Sequence, residues 1–159
     1  MISRDVGVTY TLTRDPVSFT RVGERYGEFS NFAPFPIRLK NTAWPTSEPC
    51  FQAPKFAGTS QEEEIRRVQS PMPAARMGRS RRRPLRKDRE KVKHRIMLDA
   101  LRAKFEQHPE LKGLLLGTGE TRIVEHTSND AYWGDGGDGS GLNRPGELLM
   151  RRRSLLGSV

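Results

Sequence analysis

The chain has 159 residues, one cysteine, 34% hydrophobic residues and a formal net charge of +9. This length suits one domain with a buried core, and no stretch approaches the roughly 20 apolar residues that a membrane helix needs. Residues 1–5 lack the apolar core of a signal peptide, and the lone Cys50 cannot form an internal disulfide or a structural zinc site. We therefore expect a soluble, reduced, cytoplasmic protein that does not bind membranes.

Two β-hairpins are predicted in the N-terminal third of the chain. Residues 8–12 and 17–21 alternate apolar and polar side chains at period two, which is typical of paired strands. A second, smaller hairpin is predicted from residues 37–39 and 42–44, which flank Lys40 and Asn41.

The remaining elements are mainly helical. Thr46 or Ser47 can cap a helix to about Ala57, and Ser60 with Glu63 matches a capping box for the next helix. Residues 71–83 are predicted to be an irregular connection. Asp88 is predicted to cap a long helix that ends near Phe105, and a short helix is predicted from Pro109 to Gly117. A strand over 122–126 and a Gly/Asp-rich loop over 130–143 are predicted to follow. The last predicted helix extends over 147–156, with Leu148, Leu149 and Leu155 facing inward. The long helix is predicted to bury an apolar face made of Val92, Ile96, Ala100, Leu101 and Phe105.

Together these elements predict an α+β fold, a predominantly α-helical single domain with small β-hairpin elements. No internal repeat or linker divides residues 1–159.

Positive charge is concentrated between Arg76 and Arg95. This segment holds eight arginines and three lysines against Asp88 and Glu90, so the rest of the chain is neutral in sum. Concentrated cations attract phosphates, because neutralising a polyanion releases its counterions. The alternative is an ordinary solvated loop. The segment has few aromatic residues, so we expect it to supply electrostatic attraction rather than base recognition.

The sequence gives little support for a cofactor or a metal. The run from Gly134 to Gly139 matches the pattern GxGxxG, but no βαβ unit follows, and Asp135 and Asp138 would repel a pyrophosphate. The loop lacks EF-hand spacing, and the three histidines show no ligand spacing. We expect neither a cofactor nor a bound metal.

The pair Glu48 and Lys55 is a candidate catalytic pair. In a helix, Glu48, Gln52 and Lys55 lie at i, i+4 and i+7 on one face. A carboxylate and an amine there can combine acid–base chemistry with a nucleophile, although a solvent-exposed polar stripe would have the same spacing. Cys50 has no nearby activating base, which favours a buried thiol over a nucleophile.

Several short segments, in order, resemble the NADAR family, whose name reflects NAD and ADP-ribose metabolism. They extend over about residues 26–153. They are Glu28–Phe32, Trp44–Glu48, Phe51–Ala53 with Lys55–Phe56, Ala75 with Gly78–Arg79, Met97 through Ala103–Phe105, Leu115–Gly119, Val124–Glu125, Asp130 with Trp133–Gly134, Gly139 with Gly141 and Asn143, and Gly146 with Leu149–Met150.

The resemblance implies a compact, mainly helical fold and hydrolysis of an N-glycosidic bond at ribose C1. Family substrates are phosphorylated ribosylamino intermediates of the riboflavin pathway, or ADP-ribose attached to guanine. Glu48 matches the central acidic position of the family and Lys55 the lysine seven residues later. Lys55 is then the expected nucleophile, forming a Schiff base, with Glu48 as proton shuttle; the alternative is Glu48 acting with water alone. An ionised Glu48 would keep Lys55 protonated unless burial or basic neighbours such as Arg79 oppose it.

The resemblance also implies substrate-binding positions. Those expected to form one wall of the site are Phe29, Ser30 and Asn31. Those expected to stack on a base are Trp44 and Trp133, with tryptophans of the core as the alternative. The other expected contacts are Gly134 for close backbone approach, Asp135 and Asn143 for ribose hydroxyls, and Arg79 for a phosphate.

The chain departs from the family pattern at three places. Pro49–Cys50 replaces a usual His–Tyr pair, and Arg89 stands where a tryptophan is common after the aspartate. Pro54 lacks the N–H for a helical bond to Cys50 and should kink the chain beside Lys55.

We therefore expect an enzyme that removes ADP-ribose from ADP-ribosylated guanine in nucleic acid and opposes a guanine ADP-ribosyltransferase toxin. The enzymatic alternative is a small-molecule N-glycosidase acting on riboflavin-pathway intermediates. The non-enzymatic alternative is a module that only binds ADP-ribose or nucleic acid.

Overall fold

A computed structural model of the chain describes residues 15–157. The strands in this range are β1 (Val17–Phe19), β2 (Ile37–Leu39), β3 (Thr42–Trp44) and β4 (Ile123–Glu125). The helices are α1 (Ser47–Gln52), α2 (Ser60–Arg66), α3 (Pro71–Arg79), α4 (Arg89–Gln107), α5 (Pro109–Gly117) and α6 (Arg144–Gly157), with 3₁₀ turns at Gly27–Phe29 and Ala53–Phe56.

These elements confirm the predicted fold class, a mainly helical α+β fold with small β elements. The described residues fall into two compact units, one formed by those up to Tyr26 with those from Lys112 onward, the other by Gly27–Leu111. The extent of one domain over residues 1–159 stays a prediction. Within the described range, no helix combines the length and the apolar composition that crossing a membrane requires.

The small hairpin over residues 37–44 is confirmed. β2 and β3 pair antiparallel, with Ile37 opposite Trp44 and Leu39 opposite Thr42. Lys40 and Asn41 have φ values of 51° and 62°, and two positive values are characteristic of the type I′ turns that close two-residue hairpins. β1 lies in the other predicted hairpin, but it pairs in parallel with β4. Its predicted partner, residues 8–12, lies outside the described residues.

The segment that follows α2 differs from the prediction. Residues 71–79 were expected to be irregular, but they form α3. Pro71 and Pro73 fall in its first turn, where backbone N–H groups have no partner within the helix, so the prolines cost no hydrogen bond there.

The predicted capping box of Ser60 and Glu63 at the start of α2 is also wrong. The residue that precedes α2 is Thr59, and Glu63 pairs with two arginines further along that helix.

Asp88 occupies the N-cap position of α4, as predicted, but its side chain makes no capping hydrogen bond. Its carboxylate instead accepts hydrogen bonds from the Arg86 guanidinium at 2.6 and 2.9 Å. The buried residues of α4 are Met97, Ala100, Leu101, Ala103, Lys104 and Phe105, whereas Val92 and Ile96 are only half-buried. The predicted apolar face is therefore correct in the C-terminal half of the helix and misses the buried Lys104.

Helices α5 and α6 agree with the predictions more closely. α5 has the predicted bounds, and α6 starts earlier, with Pro145 in its first turn. Leu149 is fully buried and Leu148 half-buried, but Leu155 is 54% exposed and not inward as predicted. At 100° per residue, Leu155 points about 120° away from Leu149, which explains the difference.

The hydrophobic core of the unit formed by Gly27–Leu111 surrounds α1. Its buried members are Ile37, Trp44, Cys50, Ala53, Phe56, Ile65, Ala74, Ala100 and Ala103. α1 packs against α3 and α4. The short helix that carries Glu48 is therefore held on two sides by longer helices.

Candidate functional site

The chain changes helix type between Glu48 and Lys55. α1 ends at Gln52, and residues 53–56 continue as a 3₁₀ turn rather than as the single helix predicted to about Ala57. Pro49 lies in the first turn of α1, and Pro54 lies in the first turn of the 3₁₀ segment, so neither proline removes a hydrogen bond that the backbone uses. Pro54 thus sets where the α-helix ends.

Glu48 is a buried carboxyl group, 6% exposed. Its Oε1 accepts a hydrogen bond of 2.7 Å from Gln52 Nε2. Burial raises the pKa of Glu48, because the charged form loses its hydration, and this outweighs the opposing effects of Gln52, Lys55 and Arg79. A carboxyl group in this setting is suited to hold and donate a proton.

Lys55 is also 6% exposed, and burial lowers its pKa to about 8. The charge of Arg89 lowers this pKa further, followed by the smaller effects of Arg81 and Arg79, while Glu48 opposes them. With a pKa of about 8, roughly a tenth of Lys55 is neutral at pH 7, against about 0.03% at the ordinary value of 10.5. A usable fraction of the amine is therefore nucleophilic.

These observations exclude the polar stripe as the explanation of the Glu48–Lys55 spacing, because both side chains are buried. Each also perturbs the pKa of the other, so the two groups act on one another. The anticipated conflict, in which ionised Glu48 keeps Lys55 protonated, is offset first by burial and then by Arg89.

The basic segment is joined to Lys55 through the backbone. Arg86 N donates to Lys55 O at 2.8 Å, and Arg89 N donates to Arg86 O at 3.2 Å. The Arg89 side chain is 19% exposed and one of its terminal nitrogens bonds Glu90 at 2.6 Å. Its Nε is buried and has no hydrogen-bond partner among the described residues. Sequence reasoning noted Arg89 only as a departure from the family, and its proximity to Lys55 was not expected.

Asn31 lies beside the start of α1. Its carbonyl accepts a hydrogen bond from Glu48 N at 3.1 Å, and its side-chain Oδ1 accepts one from Ser47 Oγ at 2.8 Å. Phe29 is buried against Phe105, with ring centroids 5.8 Å apart. The structure thus brings Asn31 next to Glu48.

Ser30 is anchored from the opposite direction. Its carbonyl accepts a hydrogen bond of 2.7 Å from Nζ of Lys104, which is fully buried. Residues 29–31 are therefore fixed on both sides, and their role as a wall of the site stays a prediction.

Gly78 is a contact that sequence reasoning did not identify. A Cβ on this residue would lie 1.9 Å from Gln52 Oε1 and 2.9 Å from Gln52 Cβ. α3 and α1 can approach this closely only because residue 78 has no side chain. The next residue, Arg79, is exposed, and its charge acts on both Glu48 and Lys55.

The two tryptophans occupy different settings. Trp44 is 9% exposed within the core, and its edge lines an open depression of about 480 Å³ together with Arg66 and Arg67. Trp133 is half-buried and meets Tyr132 edge to face, with ring centroids 5.1 Å apart. Trp44 thus matches the core alternative, and base stacking by either residue stays a prediction.

Asp135 stabilises its own loop. Its carboxylate accepts hydrogen bonds from His126 Nδ1 at 2.8 Å, from Thr127 N at 3.1 Å and from Gly137 N at 2.9 Å. Burial tends to raise the pKa of Asp135, but these bonds outweigh it, and the pKa is lowered. A Cβ on the preceding Gly134 would lie 2.2 Å from Thr127 Cγ2. The structure therefore gives both residues a folding role, and their predicted ligand contacts are untested.

Asn143 is fully engaged with strand β4. Its Nδ2 donates to Ile123 O at 2.9 Å, and its Oδ1 accepts from Glu125 N at 2.8 Å. Asn143 is 1% exposed and has a φ of 51°. Its amide thus pairs with the strand as another strand would, and its predicted contact with a ribose hydroxyl stays a prediction.

Cys50 is the buried thiol expected. Burial raises its pKa to about 12, so the thiolate needed for nucleophilic attack is scarce at neutral pH. In residues 15–157, no group of three or more His, Cys, Asp or Glu side chains is placed to hold a metal ion.

Comparison with known proteins shows which family the chain belongs to. The model of the NADAR domain matches residues 18–157. The chain is 59% identical over 140 residues to the N-glycosidase YbiA of Escherichia coli strain K12, covering 88% of each chain. It is 36% identical over 149 residues to a riboflavin biosynthesis protein of Vibrio vulnificus strain YJ016, covering 94% of this chain and 41% of that protein.

A solved structure supports the same family. The NMR structure of E. coli YbiA is similar with a TM-score of 0.82 and 55% identity, over 91% of this chain and 88% of that one. The chain therefore belongs to the NADAR family.

Proposed function

We propose that this protein is an N-glycosidase that hydrolyses the bond between ribose C1 and the nitrogen of a base or amine. The observation that carries the proposal is the burial of Glu48 and Lys55 as an interacting pair, with the pKa of Lys55 lowered to about 8. The relatives named as N-glycosidases support the same reaction class.

The reaction begins with Lys55 as the nucleophile. Its neutral amine attacks C1 while the C1–N bond breaks, and protonated Glu48 gives its proton to the leaving nitrogen. The Lys55 nitrogen, positively charged after the attack, then loses a proton to the ring oxygen as the C1–O bond of the ring breaks, and a protonated Schiff base forms between C1 and Lys55. Glu48, now ionised, removes a proton from the water that adds to the Schiff base. The Lys55 amine then leaves C1, and the free sugar is released. Glu48 and Lys55 return to their starting protonation states.

The proposed substrate is ADP-ribosylated guanine in nucleic acid, and the functional counterpart is a guanine ADP-ribosyltransferase toxin. The support comes from the basic segment. Its exposed cations that form no ion pair within the described residues are Arg76, Arg79, Arg81, Arg82, Lys87 and Lys91. Unpaired cations on one segment attract a phosphate backbone, and this attraction falls steeply with salt.

A small-molecule substrate is the second candidate. The relatives named as riboflavin biosynthesis proteins favour it, since that pathway offers phosphorylated ribosylamines. Salt dependence separates the two candidates. Activity on a polymeric substrate should fall by orders of magnitude between about 50 and 200 mM salt, whereas activity on a small substrate should change little.

Incubation with guanine-ADP-ribosylated oligonucleotide and with ribosylamine phosphates, followed by detection of the released sugar, tests the proposal. Glu48→Gln should abolish turnover and keep ligand binding. Borohydride should trap a covalent sugar adduct in the wild type but not in Lys55→Ala. Lys112→Ala, at an exposed lysine outside the basic segment, is the control and should still be trapped. Binding without turnover on every substrate would identify a binding module, and full turnover by Glu48→Gln would refute the role of that residue.

A further inference from the structure

We propose that the outer edge of β3, which faces away from β2, is a docking site for an extended acidic segment of a partner protein. The segment pairs with Ala43 through backbone hydrogen bonds, places an apolar side chain against Trp44 and sets a carboxylate beside Arg67. The residues that line this surface include neither Glu48 nor Lys55, so the proposal does not depend on the proposed glycosidase activity.

The geometry of the hairpin determines which backbone groups of β3 point outward. In a hairpin closed by a two-residue turn, the residues next to the turn exchange hydrogen bonds, and the N–H and C=O groups of the next pair point away from the partner strand. The turn here is residues 40–41, so Leu39 and Thr42 are the hydrogen-bonded pair. Arg38 and Ala43 are therefore the pair whose backbone groups point outward.

The two outer edges of the hairpin differ in how they are covered. On β2, Arg38 N donates to Gln107 Oε1 at 2.8 Å, and Gln107 Nε2 donates to Arg38 O at 2.7 Å. On β3, Ala43 is exposed, and its N–H and C=O form no hydrogen bond with residues 15–157. An unpaired strand edge is a template on which an extended peptide adds a further strand. The two hydrogen bonds that Gln107 supplies to β2 thus remain to be made on β3.

The depression of about 480 Å³ lies beside this edge. Its apolar lining is Pro36, Ala43, Trp44 and Pro45, and its polar lining is Arg66, Arg67 and Gln69. Side chains alternate between the two faces along a strand, so the peptide residues that flank the one opposite Ala43 point to the face that carries Trp44. Apolar side chains at these flanking positions can therefore enter the depression, whereas the residue opposite Ala43 faces solvent.

The charge beside the depression favours an acidic segment. None of the described residues that line the depression is acidic. Arg66 and Arg67 both pair with Glu63, which is not part of the lining, so two cations share one carboxylate. Arg67 uses its Nε for this pair, at 3.0 Å, and its side chain is 74% exposed. The terminal nitrogens of Arg67 are thus available to a carboxylate of the partner.

Fluorescence anisotropy of a labelled, capped heptapeptide of alternating valine and glutamate, titrated with the full chain, tests the docking site. This peptide should bind, and the matched peptide with lysine in place of glutamate should bind at least about tenfold more weakly. Ala43→Pro should weaken binding of the acidic peptide about fivefold, because it removes the backbone donor of the edge. Proline is tolerated on a strand edge whose N–H faces outward, so the melting temperature should change little.

Arg67→Met is the second variant and does not alter the backbone. It should weaken binding of the acidic peptide about fivefold, because the carboxylate of the peptide loses its cation, while Arg66 still pairs with Glu63. Arg82→Met is the matched control, since it removes the same charge from an exposed arginine that does not line the depression. It should weaken binding less than twofold.

The proposal is overturned if the acidic peptide does not bind at millimolar concentration, if the two peptides bind equally, or if Ala43→Pro folds and keeps the affinity of the wild type. Should Ala43→Pro not fold, equal affinities of Arg67→Met and Arg82→Met would overturn it. Because the measurement is of binding, failure of the proposed glycosidase would leave this result unaffected.

Two other occupants of the edge would give distinct results. A dimer in sedimentation velocity that Ala43→Pro dissociates would assign the edge to a second copy of the chain. A single-stranded oligonucleotide that binds the wild type and Ala43→Pro equally, but binds Arg67→Met more weakly, would assign the depression to nucleic acid, which has no N–H and C=O pair to offer Ala43. Either result would overturn the acidic segment as the occupant.

Discussion

Replacing Gly78 with alanine should break the hydrogen bond that Glu48 accepts from Gln52, because the new methyl group collides with the Gln52 side chain. The added Cβ would lie 1.9 Å from Gln52 Oε1, 2.4 Å from its amide carbon and 2.9 Å from its Cβ. Ordinary contact begins near 3.4 Å, so the amide of Gln52 must move by about 1.5 Å. The hydrogen bond of 2.7 Å from Gln52 to Glu48 cannot survive such a shift.

Rotation of the Gln52 side chain relieves only part of the overlap. The Cβ of Gln52 is fixed to the backbone of α1, so α1 and α3 must also separate slightly. Overpacking of this kind costs about 1–3 kcal/mol, which lowers the melting temperature by roughly 2–12 °C in a chain of this size. Loss of the Gln52 hydrogen bond should also raise the pKa of Glu48 further, because that bond lowers it.

Thermal unfolding followed by circular dichroism, with turnover measured on the same samples, checks this prediction. Gly113→Ala is the matched control, because Gly113 lies in α5 and its Cβ would have no atom within 4 Å. That variant should be slightly more stable, by about 0.5–1 kcal/mol, since alanine favours a helix. If Gly78→Ala keeps both the melting temperature and the turnover of the wild type, the proposed packing of α3 on Gln52 is wrong.

Three further predictions follow from buried polar groups. Burial lowers the pKa of Lys55 to about 8, so the plot of log kcat/KM against pH should change slope near pH 8, and Arg89→Met should move this change of slope to higher pH; a wild-type profile that changes slope near 10.5 and not near 8 would contradict the mechanism. Asn143→Ala leaves two backbone groups of β4 unpaired and should lower the free energy of unfolding by about 2–5 kcal/mol in urea melts, whereas a loss below about 0.5 kcal/mol would refute the pairing. Burial lowers the pKa of Lys104 to about 7 from 10.5, so the unfolded chain binds a proton that the folded chain has released between these values. Stability should therefore rise across that window by up to about 1.4 kcal/mol per pH unit, and Lys104→Met should remove this contribution, whereas parallel pH profiles of the two proteins would contradict it.

Local patterns were sufficient for much of the fold. The bounds of α5 follow from Pro109 and Gly117, and the small hairpin follows from strand patterns on each side of Lys40 and Asn41. These features depend on neighbours in sequence, so the sequence contains the needed information. The irregular connection predicted over 71–83 is wrong over 71–79, because Pro71 and Pro73 lie in the first turn of a helix, where prolines are accepted.

The candidate site was predictable in its residues but not in its electrostatics. Family spacing pointed to Glu48 and Lys55, and the structure shows both side chains to be buried. The effect of Arg89 on Lys55 depends on a backbone contact between residues 55 and 86, which no local pattern encodes. The position of Lys104 was likewise hidden, because a lysine on a helix ordinarily indicates a solvent-facing position.

The hydrogen bond from Arg86 N to Lys55 O has a consequence for how this site can diverge. It attaches the basic segment through main-chain atoms, so its position does not depend on which side chains the segment carries. Mutations can add, remove or exchange arginines there while the amine keeps its place. Enzymes with different preferences for the charge of their substrate can therefore arise from this scaffold by surface substitutions alone.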